Sequence, residues 1–232
     1  MSVTRARLLA GLLLLPAPAL TQVKETQRLE ACREVLAEIL AMPEGLSRGL
    51  LQKAECVAII PSTKKFALGV GGRYGKGAVL CRTDRGRGPW GPPLMISVGG
   101  GSFGLQIGGQ AADYLLLVMN EKGVEKLLRS KFTLGGDATV AAGPKGRSAE
   151  AATDLLMHAE ILSYSRARGL FAGISLEGTA VTQDKDANWA LYGEKLNPRE
   201  RLLASGQPIP RAAQGLVAAL REASPREPAA KQ

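Results

Sequence analysis

Apolar and polar positions change period twice along this chain, and the changes divide it. From about Val23 to Met42 the period is helical: Leu29, Cys32, Leu36, Ile39 and Leu40 form one stripe, while Glu25, Arg28, Arg33, Glu34 and Glu38 lie off it. Pro43 ends that helix. A short second helix, Ser47 to Ala54, has Ser47 as its cap and presents Leu50 and Leu51. From Cys56 the period falls to two. Val57 to Ile60 reads as a strand that Pro61 stops. Phe66, Leu68 and Val70 then alternate with Ala67, Gly69 and Gly71, and the turn Gly72 to Gly77 leads into Ala78 to Arg82 as a hairpin partner. Leu94 to Val98, Ser102 to Gly108 and Tyr114 to Met119 are three further strands. Leu115 to Val118 is apolar on both faces, which predicts a central strand. Beyond it the helical period returns only in short pieces. Asn120 caps a helix from Glu121 to Arg129, with Val124, Leu127 and Leu128 inward. Asp137 to Ala142, Ile161 to Arg166 and Gly169 to Val181 are strands. Asp186 to Tyr192 is a short helix, and Pro198 to Ala204 and Ala212 to Glu222 are peripheral helices. The polar, proline-bearing end, Ser224 to Gln232, is expected to be disordered.

The stretch Ser97 to Gln110 holds six glycines in fourteen residues. Gly99 to Gly104 fits G-x-G-x-x-G, with Glu121 downstream as a ribose acid. A dinucleotide site needs a helix directly after that turn. Here Phe103, Leu105 and Ile107 alternate with small and polar residues, the period of a strand. Gly100 to Gly104 also fits G-x-S-x-G, with Asp137 or Asp154 and the single histidine, His158, following Ser102 in hydrolase order. That motif needs the same missing helix. The glycines therefore read as strands packed too closely for side chains. One histidine and no C-x-x-C exclude the usual zinc patterns, so no metal and no cofactor are expected.

The chain has 232 residues, enough for one sizeable core. Its N-terminus has the form of an export signal: Arg5 and Arg7, the apolar run Leu8 to Leu15, then Ala17-Pro18-Ala19. Cleavage after Ala19 would lower the net charge from +9 to +7, by loss of the two arginines. The expected organisation is a signal peptide at 1–19, an amphipathic helix at 20–45, a central domain at 46–193, peripheral helices at 194–223 and a tail at 224–232. The expected location is periplasmic or extracellular, peripheral on a membrane. Export also places three cysteines in an oxidising compartment. Cys56 and Cys81 are the candidate disulfide pair, with Cys32 left over; three buried thiols are the alternative.

Charge changes the picture in one place. Between Pro61 and Gly91 lie Lys64, Lys65, Arg73, Lys76, Arg82, Arg85 and Arg87, against Asp84 alone. Glycine beside lysine and arginine in a turn offers N–H groups and cations to a phosphate. The competing reading is a basic edge that resists strand pairing. Nucleic acid is not expected, because the chain is poor in the aromatics that stack on bases.

From Ala141 onward, A-A-G-P-K-G-R, S-Y-S-R-A-R-G-L-F-A-G-I-S-L-E-G and D-A-N-W-A-L-Y-G resemble the SYLF, or Ysc84, domain family. The earlier V-G-G-R-Y-G-K-G, the Trp90 turn, G-G-G-S-F-G-L-Q-I-G and V-M-N-E-K-G follow in family order, so the resemblance covers roughly Leu46 to Gly193. The family's W-S-x-P turn is replaced here by Trp90-Gly91-Pro92-Pro93. The resemblance implies a non-catalytic protein that binds anionic lipid, as the family's eukaryotic members bind phosphoinositide membranes; one branch binds actin. A signal segment is typical of its bacterial exported members. The resemblance also favours an extended Ala149 to Ala159, where propensity alone favours helix around Asp154 and His158. The expected fold is α+β, a strongly curved, mostly antiparallel, glycine-rich sheet or barrel covered by helices. The expected lipid- or anion-binding residues are Lys64, Lys65, Arg73 and Lys76, then Lys145, Arg147, Arg166 and Arg168. An envelope protein partner without lipid preference is the alternative.

Overall fold

A computed structural model describes residues 17–144, 159–167 and 169–226, of which 17–21, 66–70 and 102–110 are described by backbone. Helix α1 (Ala17–Ala41) and the short α2 (Arg48–Lys53) lead into two long strands, β1 (Cys56–Cys81) and β2 (Leu94–Val118). Then follow α3 (Glu121–Leu127), β3 (Lys131–Thr133), β4 (Val140–Ala142), β5 (Ile161–Ala167), β6 (Leu170–Gly173) and β7 (Ala180–Gln183). The α-helices α4 (Lys185–Tyr192), α5 (Pro198–Leu203) and α6 (Gln214–Ala223) come next, with a 3-10 turn, Arg211–Ala213, leading into α6. The expected elements at 145–158 lie outside the described residues.

The sheet is built on a ribbon. β1 and β2 pair antiparallel along nearly their whole length, from Cys56 opposite Val118 to Val79 opposite Leu94. A straight strand of 26 residues would span roughly 85 Å at about 3.3 Å per residue. Yet the Cα atoms of Cys56 and Cys81 are 4.0 Å apart and their sulfurs are bonded. Arg82 N–H also donates to Glu55 O at 2.8 Å. So β1 doubles back and its two arms lie side by side, carrying β2 around with it. β7 joins the first arm of β2 through Ile96 to Gly99, and β5 joins the second through Asp113 to Val118. β3 extends one side, and β4 and β6 extend the other. The result is a strongly curled sheet in which β4–β5 is the parallel pair and the other named pairs are antiparallel.

Glycine makes the doubling possible. A Cβ on Gly77 would lie 2.0 Å from Ile59 O and 2.8 Å from Ile60 Cα, so backbone meets backbone there. Pro61 does not stop the strand. It sits at an irregularity in the register between Ile60 and Thr63, where a missing N–H does no harm, and Ser62 takes φ 46°. Gly72 to Gly77 is strand and not a turn, since its partner is β2 and not a local hairpin. The three strands expected between Leu94 and Met119 are one. Gly169 to Val181, expected as one strand, is broken into β6 and β7 by a loop at Ile174 to Thr179.

Both faces of the curled sheet are buried. Val57, Ile59, Ala78, Leu80, Met95, Leu115 and Leu117 meet the stripe Leu29, Cys32, Leu36 and Ile39 of α1, together with α4 and α6. Ala58, Ile60, Val79, Ile96, Leu116 and Val118 face the other way, onto Val124 and Leu127 of α3, Phe132, Leu176 and Leu202. Helix α6 packs on α1, with Leu216, Val217 and Leu220 buried in the same cluster. Ser224 is held at the end of that helix, where Arg82 Nη2 donates to its carbonyl at 3.2 Å and also bonds its hydroxyl. Ser47 occupies the cap position of α2 without a side-chain cap bond, whereas Asn120 accepts from Gly123 N–H at 3.1 Å.

Candidate anion-binding end of the sheet

The ribbon has two ends of different character. At the closed end lie the Cys56–Cys81 disulfide, Arg82 and Trp90. Arg82 is fully buried, stacked 4.2 Å from the Trp90 ring, and donates through Nε to Ala54 O. Burial pulls its pKa down to about 10. Arg82 therefore leaves the basic surface counted in the sequence. Cys32 is a free, buried thiol whose burial pushes its pKa up to about 12, which keeps it unreactive.

At the other end β1 bends back. The arms are still in contact at Thr63 and Gly75, where a Cβ on Gly75 would lie 2.4 Å from Thr63 Oγ1. The bend therefore falls between those two residues. Lys64 is exposed, opposite Ala111 of β2. Lys65 is half-buried, with Nζ 5.7 Å from the centroid of Tyr114. Arg73 is half-buried, opposite Gly100. Two exposed apolar side chains stand at the same level. Tyr74 is 48 % exposed, and Leu170, in the hairpin of β5 with β6, is 77 % exposed. The level of that hairpin follows from register: Arg166 pairs with Asp113, and Ala167 with Leu170, two residues from Ala111.

The other predicted cations are placed differently. Lys76 donates to Asp184 Oδ2 at 2.8 Å, and Arg28 joins the same oxygen at 3.0 Å. Asp184 also accepts from Ala187 N–H and so caps α4. Burial alone would raise the Asp184 pKa, but Lys76, Ala187 N–H and Arg28 together hold it below the usual carboxylate value. The same bond raises Lys76. Arg166 is held between Asp113, at 2.6 Å, and Glu38 of α1. Lys145, Arg147 and Arg168 lie outside the described residues, as do Asp154 and His158. The structure thus gathers Lys64, Lys65 and Arg73 at the bend, and commits Lys76 and Arg166 to tying the sheet to α1 and α4.

Sequence reasoning missed Asp184, which unites two cations and a helix cap. Its signal was available as an aspartate just before the helical D-A-N-W-A-L-Y run. It also missed the exposure of Tyr74 and Leu170, which depends on where the bend falls. The strand through Gly99 to Gln110 has no helix after it, so neither glycine motif has the context its chemistry needs. Among the described residues no cluster of His, Cys, Asp and Glu could hold a metal ion, and no helix is long and apolar enough to cross a membrane.

Comparison with known proteins bears on this site. The family model for Ysc84, described as Las17-binding protein actin regulator, matches residues 99–223. Protein YSC84 of Saccharomyces cerevisiae is 34 % identical over 172 residues, covering 72 % of this chain and 36 % of its own. SH3 domain-containing YSC84-like protein 1 of Xenopus laevis is 36 % identical over 146 residues, 62 % of this chain and 43 % of its own. LAS seventeen-binding protein 3 of Saccharomyces cerevisiae is 30 % identical over 196 residues, 83 % of this chain and 42 % of its own. The chain thus spans less than half the length of these curated relatives, one of which is named for binding LAS seventeen. With more than half of its residues matched and the glycine-rich strand inside the match, the chain belongs to the Ysc84 family.

Proposed function

We propose that this chain is a non-catalytic module that binds anionic lipid headgroups at a membrane surface through the bend end of its sheet. One observation carries the reading: Lys64, Lys65 and Arg73 stand at the same end as the exposed Tyr74 and Leu170. Cations that meet headgroups beside apolar side chains that enter the interface are the two components of reversible membrane attachment. Each cation near an anionic surface contributes about 1 kcal/mol, so the cluster acts as a group. An exported location, periplasmic or extracellular and peripheral on a membrane, belongs to the same reading and rests on Arg5, Arg7 and the apolar run after them.

The test is co-sedimentation of the full chain with neutral and anionic vesicles across a salt series. Binding to anionic vesicles should fall as salt rises. It should fall further in the triple variant Lys64→Ala, Lys65→Ala, Arg73→Ala. Equal binding to both vesicle types, or none, would remove the proposal. A protein-interaction module is the second reading, and a specific feature favours it. A groove of about 390 Å³, lined by Leu94, Asn188, Lys195 and Leu196, runs beside Trp189, which is 59 % exposed. An exposed tryptophan beside a groove is the kind of anchor that protein interfaces use. If vesicles fail, Trp189→Ala becomes the variant to compare in a search for envelope partners.

A further inference from the structure

The groove beside Trp189 has a floor whose polar groups are spent and a rim whose charges are free. Pairing of β7 with β2 ends at Ile96. Beside Met95 the Asn188 side chain takes the place of a neighbouring strand: its Oδ1 accepts from Met95 N–H at 2.8 Å, and its Nδ2 donates to Met95 O and Asp184 O, each at 2.9 Å. Gln183 Nε2 donates to Arg129 O at 2.9 Å. These bonds fix α4 against the sheet, so the groove is formed before any partner arrives, and its apolar surface is Leu94 and Leu196.

On the rim, Lys185 and Lys195 are exposed and make no ion pair among the described residues. Glu194 is tied to Arg201 at 2.8 Å. Of the carboxylates that line the groove, this leaves Asp186 unpaired, and it lies in the first turn of α4, where the helix dipole offsets its charge. The rim therefore favours a partner that brings negative charge. Spacing narrows the choice. Lys185 opens α4, and Lys195 follows its C-cap, Gly193. The eight residues of α4 rise about 12 Å, with Trp189 midway. An extended chain covers that distance in about four residues, at about 3.3 Å each. Its residues i, i+2 and i+4 share one face. An apolar side chain flanked two positions away on each side by a carboxylate thus presents all three groups to the wall at once.

We propose that this groove docks an extended acidic protein segment of that pattern. Its apolar side chain lies against Trp189 and Leu196, and its carboxylates meet Lys185 and Lys195. The assignment rests on the protein-interaction reading. The indole is the anchor, and the selectivity is electrostatic, because a basic segment brings like charges to both ends of the wall.

The chain carries its own reporter. Of its two tryptophans Trp90 is fully buried and Trp189 is exposed, so acrylamide quenching of fluorescence reads Trp189. A random peptide library is selected on the full chain and counter-selected on Trp189→Ala. Enriched sequences should carry Asp or Glu two positions to either side of a leucine or an aromatic residue, and the matching synthetic peptide should shield Trp189 from acrylamide. Lys185→Glu with Lys195→Glu should weaken that peptide roughly tenfold, and Trp189→Ala roughly thirtyfold. Both variants should melt with the parent, since the three side chains are exposed. Enrichment that depends on Trp189 but lacks the flanking acids, or prefers bases, overturns the assignment and leaves the protein-interaction reading standing. No enrichment that depends on Trp189 overturns both. The same quenching with phosphatidic acid vesicles separates this groove from the bend: vesicles that bind and leave Trp189 open to acrylamide agree with the proposal, whereas vesicles that shield Trp189 assign the groove to the membrane and overturn it.

Discussion

The two ends of the β1–β2 ribbon are made of the same pairing and do opposite things. At the closed end the large side chains are fully buried. The arms of β1 are joined by a disulfide, Arg82 lies flat on Trp90, and Ser224 from the C-terminal segment closes over the guanidinium. At the bend end the strand turns on glycines, and polar and apolar groups are left over: Lys64, Tyr74 and Leu170 outside, Thr63 and Tyr114 inside. Binding surfaces are drawn from the less saturated parts of a fold, because a group already satisfied has nothing to offer a ligand. On the proposed reading the closed end is support and the bend end is the working part.

Substitutions should divide the same way. The largest effect belongs to the closed end: Trp90→Ala removes a fully buried indole and the platform under Arg82, and should lower stability by about 3–5 kcal/mol in denaturant titration. Next comes the disulfide. Cys56 and Cys81 are 25 residues apart, so Cys56→Ala with Cys81→Ala, or reduction of the parent, should lower stability by about 3 kcal/mol. A reduced parent as stable as the oxidised one would break the comparison. Asp184→Asn is intermediate, at about 2 kcal/mol, since hydrogen bonds to a buried charge are lost. Its pH dependence is distinctive. The folded Asp184 pKa is depressed, so its contribution is present above the unfolded value near 3.8 and is lost as pH falls through the folded value. Parent and Asp184→Asn should therefore converge in acid and separate toward neutral pH. Glu25 acts in the opposite sense. Burial raises its pKa, so its carboxylate is unfavourable at neutral pH and that penalty is relieved on acidification. The smallest effect belongs to the bend. Lys64→Ala should change stability by less than about 0.5 kcal/mol while weakening anionic vesicle binding roughly fivefold. A large loss of stability there would erase the distinction between the ends.

Much of the element list was legible because periodicity reports burial. The stripe of α1, the two-faced apolar run Leu115 to Val118 and the Asn120 cap stand where the pattern puts them. The errors share one cause. Glycine and proline punctuate a chain locally, but here the punctuation is overridden by pairing. Pro61 falls at a bulge, and Gly72 to Gly77 stays extended because β2 lies along it. The site was legible in part. Lys64, Lys65 and Arg73 were visible as charge, whereas Lys76 and Arg166 were indistinguishable from them until Asp184, Asp113 and Glu38 arrived from distant segments.

The sequence by itself determined the fold class, the strand character of the glycine-rich stretch and the family, because these depend on period, residue size and motif order. Tertiary structure alone decided that β1 doubles back, that Arg82 is interior, and that Lys76 and Arg28 share Asp184. Those facts depend on which segments a strand finds beside it, and pairing over long sequence separations leaves no mark on the local pattern of either partner.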